Sequence, residues 1–369
     1  MHVLSAICCR LLLYLSLSLL LSLALPVYAT KEFLQPALIN STTPPLVIYS
    51  ATDYHHLQPL LSQFQQQHPT VSIRFVDFNS EVLYNRFLQE APHSPADILL
   101  SSAMDLQLKL VNDGYAQAHR SERSSSLPNQ THWRHELFTF TFEPILTVFN
   151  KELIGAHRLP SSRQQLLSLL RRDPERFTDN IITYDIAASG VGYLLASQDS
   201  QQGLMYGRLL EAFGSLGVKL DNSSNDMLEQ LAKGEAAVGY NLLGSYVDSA
   251  LARYPQLAAM APDDYTLMLM RLALIPKTAP QPAIAGALLD FMLSAPGQDL
   301  LAKGGLQPAL GPDSDQLRRA FQAQGPLTLI PLTPALLPPL DSLGKQRFID
   351  TWFSSLNAAP VVREVSASE

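Results

Sequence analysis

Apolar positions recur along the chain with two periods. Residues 46–50 (Leu-Val-Ile-Tyr-Ser) are a short apolar run that ends in a polar loop. Residues 54–67 carry Leu57, Leu60, Leu61 and Phe64 at helical spacing, and 71–78 alternates as a strand should. After this β-α-β opening, the pattern predicts a helix at 81–89 behind Ser80, a strand at 97–100, and a helix at 103–111 stopped by Gly114. Three strands alternating with helices imply a parallel sheet. Residues 119–132 are polar and irregular, and 145–150 then reads as a strand crossing into a second alternating set. That set holds a helix at 163–170, a strand at 181–184, helices at 191–196 and 203–213, a strand at 236–240 and a helix at 243–254. Residues 267–275 are apolar except for Arg271, as in a strand buried on both faces, and read as a second crossover. Residues 282–301 read as a helix broken at Pro296-Gly297, and a Pro-rich stretch at 325–339 precedes a last amphipathic helix at 346–356. There is no internal repeat.

The fold class expected is α/β, with two lobes, each a mostly parallel sheet flanked by helices, hinged by the two crossover strands. Residues 46–144 plus 276–310 make the first lobe and 145–275 the second, and 311–369 form a C-terminal helical segment packing on both. Residues 30–45, with Ser41, Thr42, Thr43, Pro44 and Pro45, read as a flexible lead-in. Hinge closure on a ligand is a standard use of two such lobes.

The N-terminus changes the picture of where the protein works. One basic residue, Arg10, precedes fifteen residues, 11–25, made only of Leu, Ala, Ser and Tyr, and Pro26, Val27, Tyr28 and Ala29 follow. This predicts a secretory signal at 1–29 cleaved after Ala29, because the run is shorter than the roughly 20 residues a membrane span needs. Cys8 and Cys9 precede the run, whereas a lipid anchor needs a Cys at its end. The mature chain would then have no cysteine, as suits a bacterial periplasmic protein. It would carry 25 basic against 33 acidic residues, which argues against nucleic acid and anionic membrane surfaces as partners.

Ligands of open parallel sheets bind beyond the carboxyl ends of the strands, where helix N-termini also point. Four loops meet that condition: Ser50-Ala51-Thr52-Asp53, Ser101-Ser102-Ala103, Ser189-Gly190-Val191-Gly192 after Thr183-Tyr184-Asp185, and Asn222-Ser223-Ser224-Asn225. Hydroxyls and backbone N–H groups at positive helix ends suit a phosphate, sulfate or carboxylate. The same Ser and Asn residues also make ordinary helix caps. Asp53, Asp105 and Asp185, with Tyr184, Tyr240 and Tyr246, leave open a site for a polyamine or quaternary amine.

Enzyme chemistry finds no support. There is no G-x-S-x-G elbow, and Ser189-Gly190-Val191-Gly192 is too short for a P-loop and lacks its Lys. His132 and His135 have metal-like spacing without a third ligand nearby, and Asp263-Asp264 reads as a turn. His55-His56 lie beside the first loop, where either could touch a ligand or simply begin a helix.

Residues 46–53, the run Ala96-Asp97-Ile98-Leu99-Leu100-Ser101-Ser102-Ala103-Met104-Asp105, the segment Asn112-Asp113-Gly114-Tyr115 and the segment Thr147-Val148-Phe149-Asn150 resemble bacterial extracellular solute-binding proteins of family 1, in the ferric-iron-binding and phosphoglycerate transport regulatory group. The likeness covers 45–310. It implies the two-lobed type II periplasmic-binding-protein fold, no catalysis, no cofactor, and a monomer. The expected partners are a small-molecule ligand and an inner-membrane ABC permease or, in the regulatory branch, a sensor histidine kinase. Ferric-binding members carry two adjacent tyrosines in the second lobe, since phenolates are hard oxygen ligands. The corresponding stretch, 240–247, has Asn241 and a single Tyr246 between Ser245 and Val247, and no two tyrosines are adjacent anywhere in the chain. The resemblance therefore points to a phosphate ester before ferric iron. The residues expected to bind it are Ser50, Thr52, Asp53, Ser101, Ser102, Tyr184, Ser189, Gly190, Ser223, Ser224, Asn241 and Tyr246, with no metal site.

Overall fold

In the computed structural model, which describes residues 30–155, 159–308 and 324–356, the apolar runs became strands within two linked sheets. The first lobe opens with β1 (Lys31–Gln35), β2 (Leu46–Ser50), α1 (Tyr54–Gln67), β3 (Ile73–Asp77), α2 (Ser80–Glu90), β4 (Ile98–Ser101) and α3 (Met104–Asn112). Strand β2 pairs in parallel with β3 and β4, as the alternation required. Phe64, Phe75, Leu60 and Ile98 fill the space under α1.

The two crossovers are β6 (Leu137–Asn150), which follows the short β5 (His132–Trp133), and β11 (Thr266–Leu274). Strand β6 is buried along its whole length and belongs to both sheets. Its first half pairs antiparallel with β11, and its second half with β9 (Val238–Leu243) and β10 (Leu257–Met260). The ladders shift register between Arg271 and Leu272, and between Leu146 and Val148. A long all-buried strand is what serving two cores demands. The strand expected from the sequence covers only its last six residues, although 138–143 alternates Phe-Thr-Phe-Thr-Phe-Glu as a strand does; the polar members Thr139, Thr141 and Glu143 are as buried as the phenylalanines.

The second lobe holds α4 (Arg163–Arg172), β7 (Ile181–Tyr184), α5 (Gly190–Ser200), α6 (Leu204–Ser215), β8 (Lys219–Asp221), α7 (Ser224–Ala232) and α8 (Gly244–Arg253). Strand β7 pairs in parallel with β8 and β9. The chain then returns through β11 to α9 (Pro282–Met292), α10 (Ala295–Lys303), β12 (Gln307–Pro308), β13 (Leu327–Leu329) and α11 (Ser342–Leu356). The main strand order is β1-β3-β2-β4-β11-β6-β9-β7-β8.

Four expectations change. The supposed lead-in contains β1: Phe33 stacks on Tyr54 at 4.3 Å and Glu32 pairs with Arg74, so the edge strand is held by side chains that its polar sequence hides. Strand β11 bonds to β4 and to the first half of β6, so the chain is back in the first lobe by Thr266, before residue 275. The break near 293 precedes Pro296-Gly297, because Ser294 caps α10 through the Gly297 N–H and Pro296 is tolerated in a first turn. The described part of the C-terminal segment includes a strand, β13 paired with β11, before the helix α11. The expected signal at 1–29 and parts of the 311–369 segment lie outside the described residues. Among the described residues no helix is long and apolar enough to cross a membrane.

Candidate functional site

The four strand-exit loops face one another across the seam between the lobes. The β4–α3 loop meets the start of α5. A Cβ added at Gly190 would come 2.7 Å from the Leu106 side chain and 3.3 Å from Ala103, and the Val191 N–H donates to Ser80 Oγ at 3.0 Å. The β8–α7 loop meets the start of α2, where Asn79 Nδ2 donates to the Asn222 carbonyl at 2.7 Å. The β2–α1 loop meets the start of α8. The Tyr246 hydroxyl donates to Asp53 Oδ1 and accepts from the Asp53 N–H, both at 3.3 Å.

Beneath that contact lies a buried ion pair between the crossover strands. Arg271 Nε donates to Glu143 Oε1 at 2.9 Å, with both side chains fully buried. Its Nη1 donates to Thr52 Oγ1 at 2.6 Å in the first lobe and its Nη2 to Ser245 Oγ at 3.2 Å in the second. The Ser245 N–H completes the set on Glu143 Oε2 at 3.0 Å. Burial lowers the basicity of Arg271, but the neighbouring Glu143 more than offsets it, so the guanidinium stays charged. Sequence reasoning missed Asn79, Ser80, Glu143 and Ser245 as seam residues. Its best available signal was Arg271, the lone charge in an apolar strand.

The hydroxyls are mostly committed to local structure. Ser50 Oγ donates to the Thr52 carbonyl and accepts the Thr52 N–H, and Ser101 Oγ accepts the Ala103 N–H. Ser189 and Ser223 cap α5 and α7 through the Gly192 and Asp226 N–H groups. Ser224 is bonded to the Tyr184 hydroxyl, whose pKa burial raises strongly. Ser102 is buried, and its hydroxyl has no hydrogen-bond partner among the described residues. Tyr184 and Asn241 border a void of about 10 Å³ inside the second lobe, about the room of one water.

Asn241 adopts φ 64, a conformation Asn tolerates, and donates to Asp199. Asp199 is held as well by Tyr240, Tyr265 and Arg163, while Arg163 also pairs with Asp264 at 3.1 Å. Tyr240, Asn241 and Asp264 therefore belong to a buried network that ties α4 and α5 to the entry of β11. Asp185 accepts from the Ala187 N–H and shapes the loop before α5. Asp105 is buried at the start of α3, where desolvation pushes its carboxyl up to about 7.

The two histidines of the first loop part ways. His55 is exposed, 3.9 Å from Asp53, whereas His56 turns inward to the Gly304 carbonyl and stands edge-on to Tyr246. The rings of His132 and His135 lie 5.1 Å apart, and among the described residues no three His, Cys, Asp or Glu side chains are grouped to hold a metal ion. A cavity of about 500 Å³ opens on β10 and α8, lined by Leu146, Ser161, Asp248, Met260 and Asp263 among others. None of the predicted site residues borders it, so the seam remains the candidate site.

A family model for bacterial extracellular solute-binding proteins matches residues 46–307. The substrate-binding protein of an ABC transporter from Agrobacterium tumefaciens is 32% identical, with a TM-score of 0.83 over 89% of this chain and 99% of that one. The periplasmic binding protein AfuA of Actinobacillus pleuropneumoniae, solved with fructose-6-phosphate, is 18% identical (TM-score 0.69, covering 85% and 99%). Iron-bound HitA of Pseudomonas aeruginosa is 17% identical (TM-score 0.64, covering 83% and 99%). These two share the fold. A comparison with curated protein sequences found no match. With most of its length matched by the family model and by a close structural relative, the chain belongs to the bacterial extracellular solute-binding proteins.

Proposed function

We propose that the protein captures a small anionic, phosphate-ester-like solute between its lobes and delivers it to the inner-membrane permease of an ABC importer. In this reading it works in the periplasm as a monomer, after export by a signal at 1–29 cleaved behind Ala29, and it does not turn its ligand over. The observation that carries the reading is the seam itself, where the N-termini of α1 and α3 on one lobe face those of α8 and α5 on the other. Helix N-termini favour negative charge. A cationic solute would need free carboxylates, yet Glu143 is spent on Arg271, Asp53 is engaged by Tyr246, and the raised pKa of Asp105 leaves it half-protonated near neutral pH. The relative from Agrobacterium, described as part of an ABC transporter, supports the transport assignment, and AfuA lends the fold a phosphate-ester precedent.

The test is a thermal-shift screen of purified protein, unfolded and refolded to strip ligand, against phosphoglycerates, hexose phosphates, orthophosphate, ferric citrate, polyamines and amino acids. A ligand at a hundred times its dissociation constant adds about 2.7 kcal/mol, which is readily seen. A rise with phosphate esters alone supports the reading; a rise only with polyamines or ferric citrate refutes the anion assignment.

A further inference from the structure

His56 is the third residue of α1 and only 1% exposed. Its Nδ1 lies 2.6 Å from the Gly304 carbonyl oxygen, which can only accept, so Nδ1 carries the proton. Nε2 is then a bare lone pair. It is buried and has no hydrogen-bond partner among the described residues. The arrangement is built for this ring. A Cβ on Gly304 would fall 1.9 Å from the His56 carbonyl oxygen, and Gly305 takes φ +85, so only this glycine pair brings the carbonyl to Nδ1. The ring stands at 89° to Tyr246 with centroids 4.9 Å apart, against the residue that bridges the lobes through Asp53. Burial pushes its pKa down to about 3, so the imidazole is neutral and an acceptor throughout the physiological range. A buried acceptor without a donor is costly and is kept where function uses it.

We propose that His56 reads the solute: its Nε2 accepts a hydrogen bond from a hydroxyl of the bound molecule, so the preferred solute is a phosphate ester bearing a hydroxyl donor beside its anionic end. This rests on the anion reading of the seam. The ring packs on Tyr246, which joins the lobes at the start of α1; in the proposal a solute hydroxyl meets Nε2 while the anion sits at the helix N-termini, and the two contacts together discriminate a hydroxylated ester from a bare phosphate.

The variant His56→Asn keeps an N–H for the Gly304 carbonyl and removes the ring acceptor. Calorimetric titrations of wild type and His56→Asn with glycerol 3-phosphate, and with propyl phosphate as its counterpart lacking hydroxyls, read the contact directly. The wild type should prefer glycerol 3-phosphate by about tenfold, the worth of one hydrogen bond, and His56→Asn should lose that preference while binding propyl phosphate as before. A preference that survives in His56→Asn, or an equal loss for both ligands, overturns the proposal. If neither phosphate binds, the anion reading fails, and the imidazole ¹⁵N resonances of the wild type decide on His56 separately. A shift of Nε2 with whichever polyol, polyamine or amino acid raises the melting temperature upholds it as the reader, and no shift, or no stabilising compound, overturns it.

Discussion

Asp105 opens α3 at 2% exposure, with one carboxylate oxygen accepting the Leu106 N–H. Desolvation, opposed by that hydrogen bond and by Lys345, holds its pKa at about 7, whereas an Asp in the unfolded chain titrates near 3.9. Between about pH 4 and 7 the folded protein thus keeps a proton that the unfolded chain has lost, and stability falls as pH rises through that window, levelling off above it. Asp105→Asn retains the acceptor and removes the titration. Its stability in urea, relative to wild type, should rise across the window by a few kcal/mol, and equal pH profiles for the two proteins would show that Asp105 is solvated after all. None of this was legible from residues alone. Asp105 looked like a cleft carboxylate because the environment that shifts it includes Lys345, which comes from a distant part of the chain. Ser50, Ser101, Ser189 and Ser223 were visible as loop residues, but whether a hydroxyl caps a helix or stays free is decided by dihedral angles that a sequence does not print.

The crossover strands set the next scale. Arg271 of β11 and Glu143 of β6 pair in the core and reach Thr52 and Ser245 on opposite lobes. Removing one partner strands the other charge, so Arg271→Met should cost about 3–5 kcal/mol in chemical denaturation. Adding Glu143→Gln, which keeps an acceptor for the Ser245 N–H, should recover at least half of that loss; a double variant no better than the single one would mean that the pair is not the source of the effect. The helix starts separate in the same way. Ser189→Ala should lower stability by about 1 kcal/mol through the lost cap, whereas Ser102→Ala should leave the melting temperature of stripped protein unchanged and weaken solute binding. Normal binding by Ser102→Ala would remove the β4–α3 loop from the site. At this scale the sequence was largely readable, since α1 and β7 follow the apolar spacing residue for residue. The strands it hid, β1, β8 and β10, are short and partly exposed, and β6 was read only from 145 even though 138–143 alternates Phe with Thr and Glu.

For the whole molecule, the hinge has a physical form. Strand β6 runs unbroken through both sheets, and its ladders shift register at Leu146/Val148 and at Arg271/Leu272. The C-terminal segment also touches both lobes. Lys345 pairs with Glu81 of α2 at 3.2 Å, the Tyr193 hydroxyl of α5 donates to the Pro339 carbonyl, and Trp352 bonds Tyr206 of α6. Two-lobed architecture was legible from the alternation and the two apolar crossovers, but which loops face each other was not, since that is fixed by how the lobes meet. The account stands on closure of those lobes around a solute. A protein of residues 30–369, a stretch without cysteine, takes dyes at Asn85→Cys on α2 and Lys233→Cys behind α7, both exposed. Single-molecule energy transfer between them, measured on stripped protein with and without the solute found by thermal shift, should move from a lower to a higher efficiency on saturation. A solute that binds tightly while the transfer efficiency stays fixed would contradict closure on the ligand.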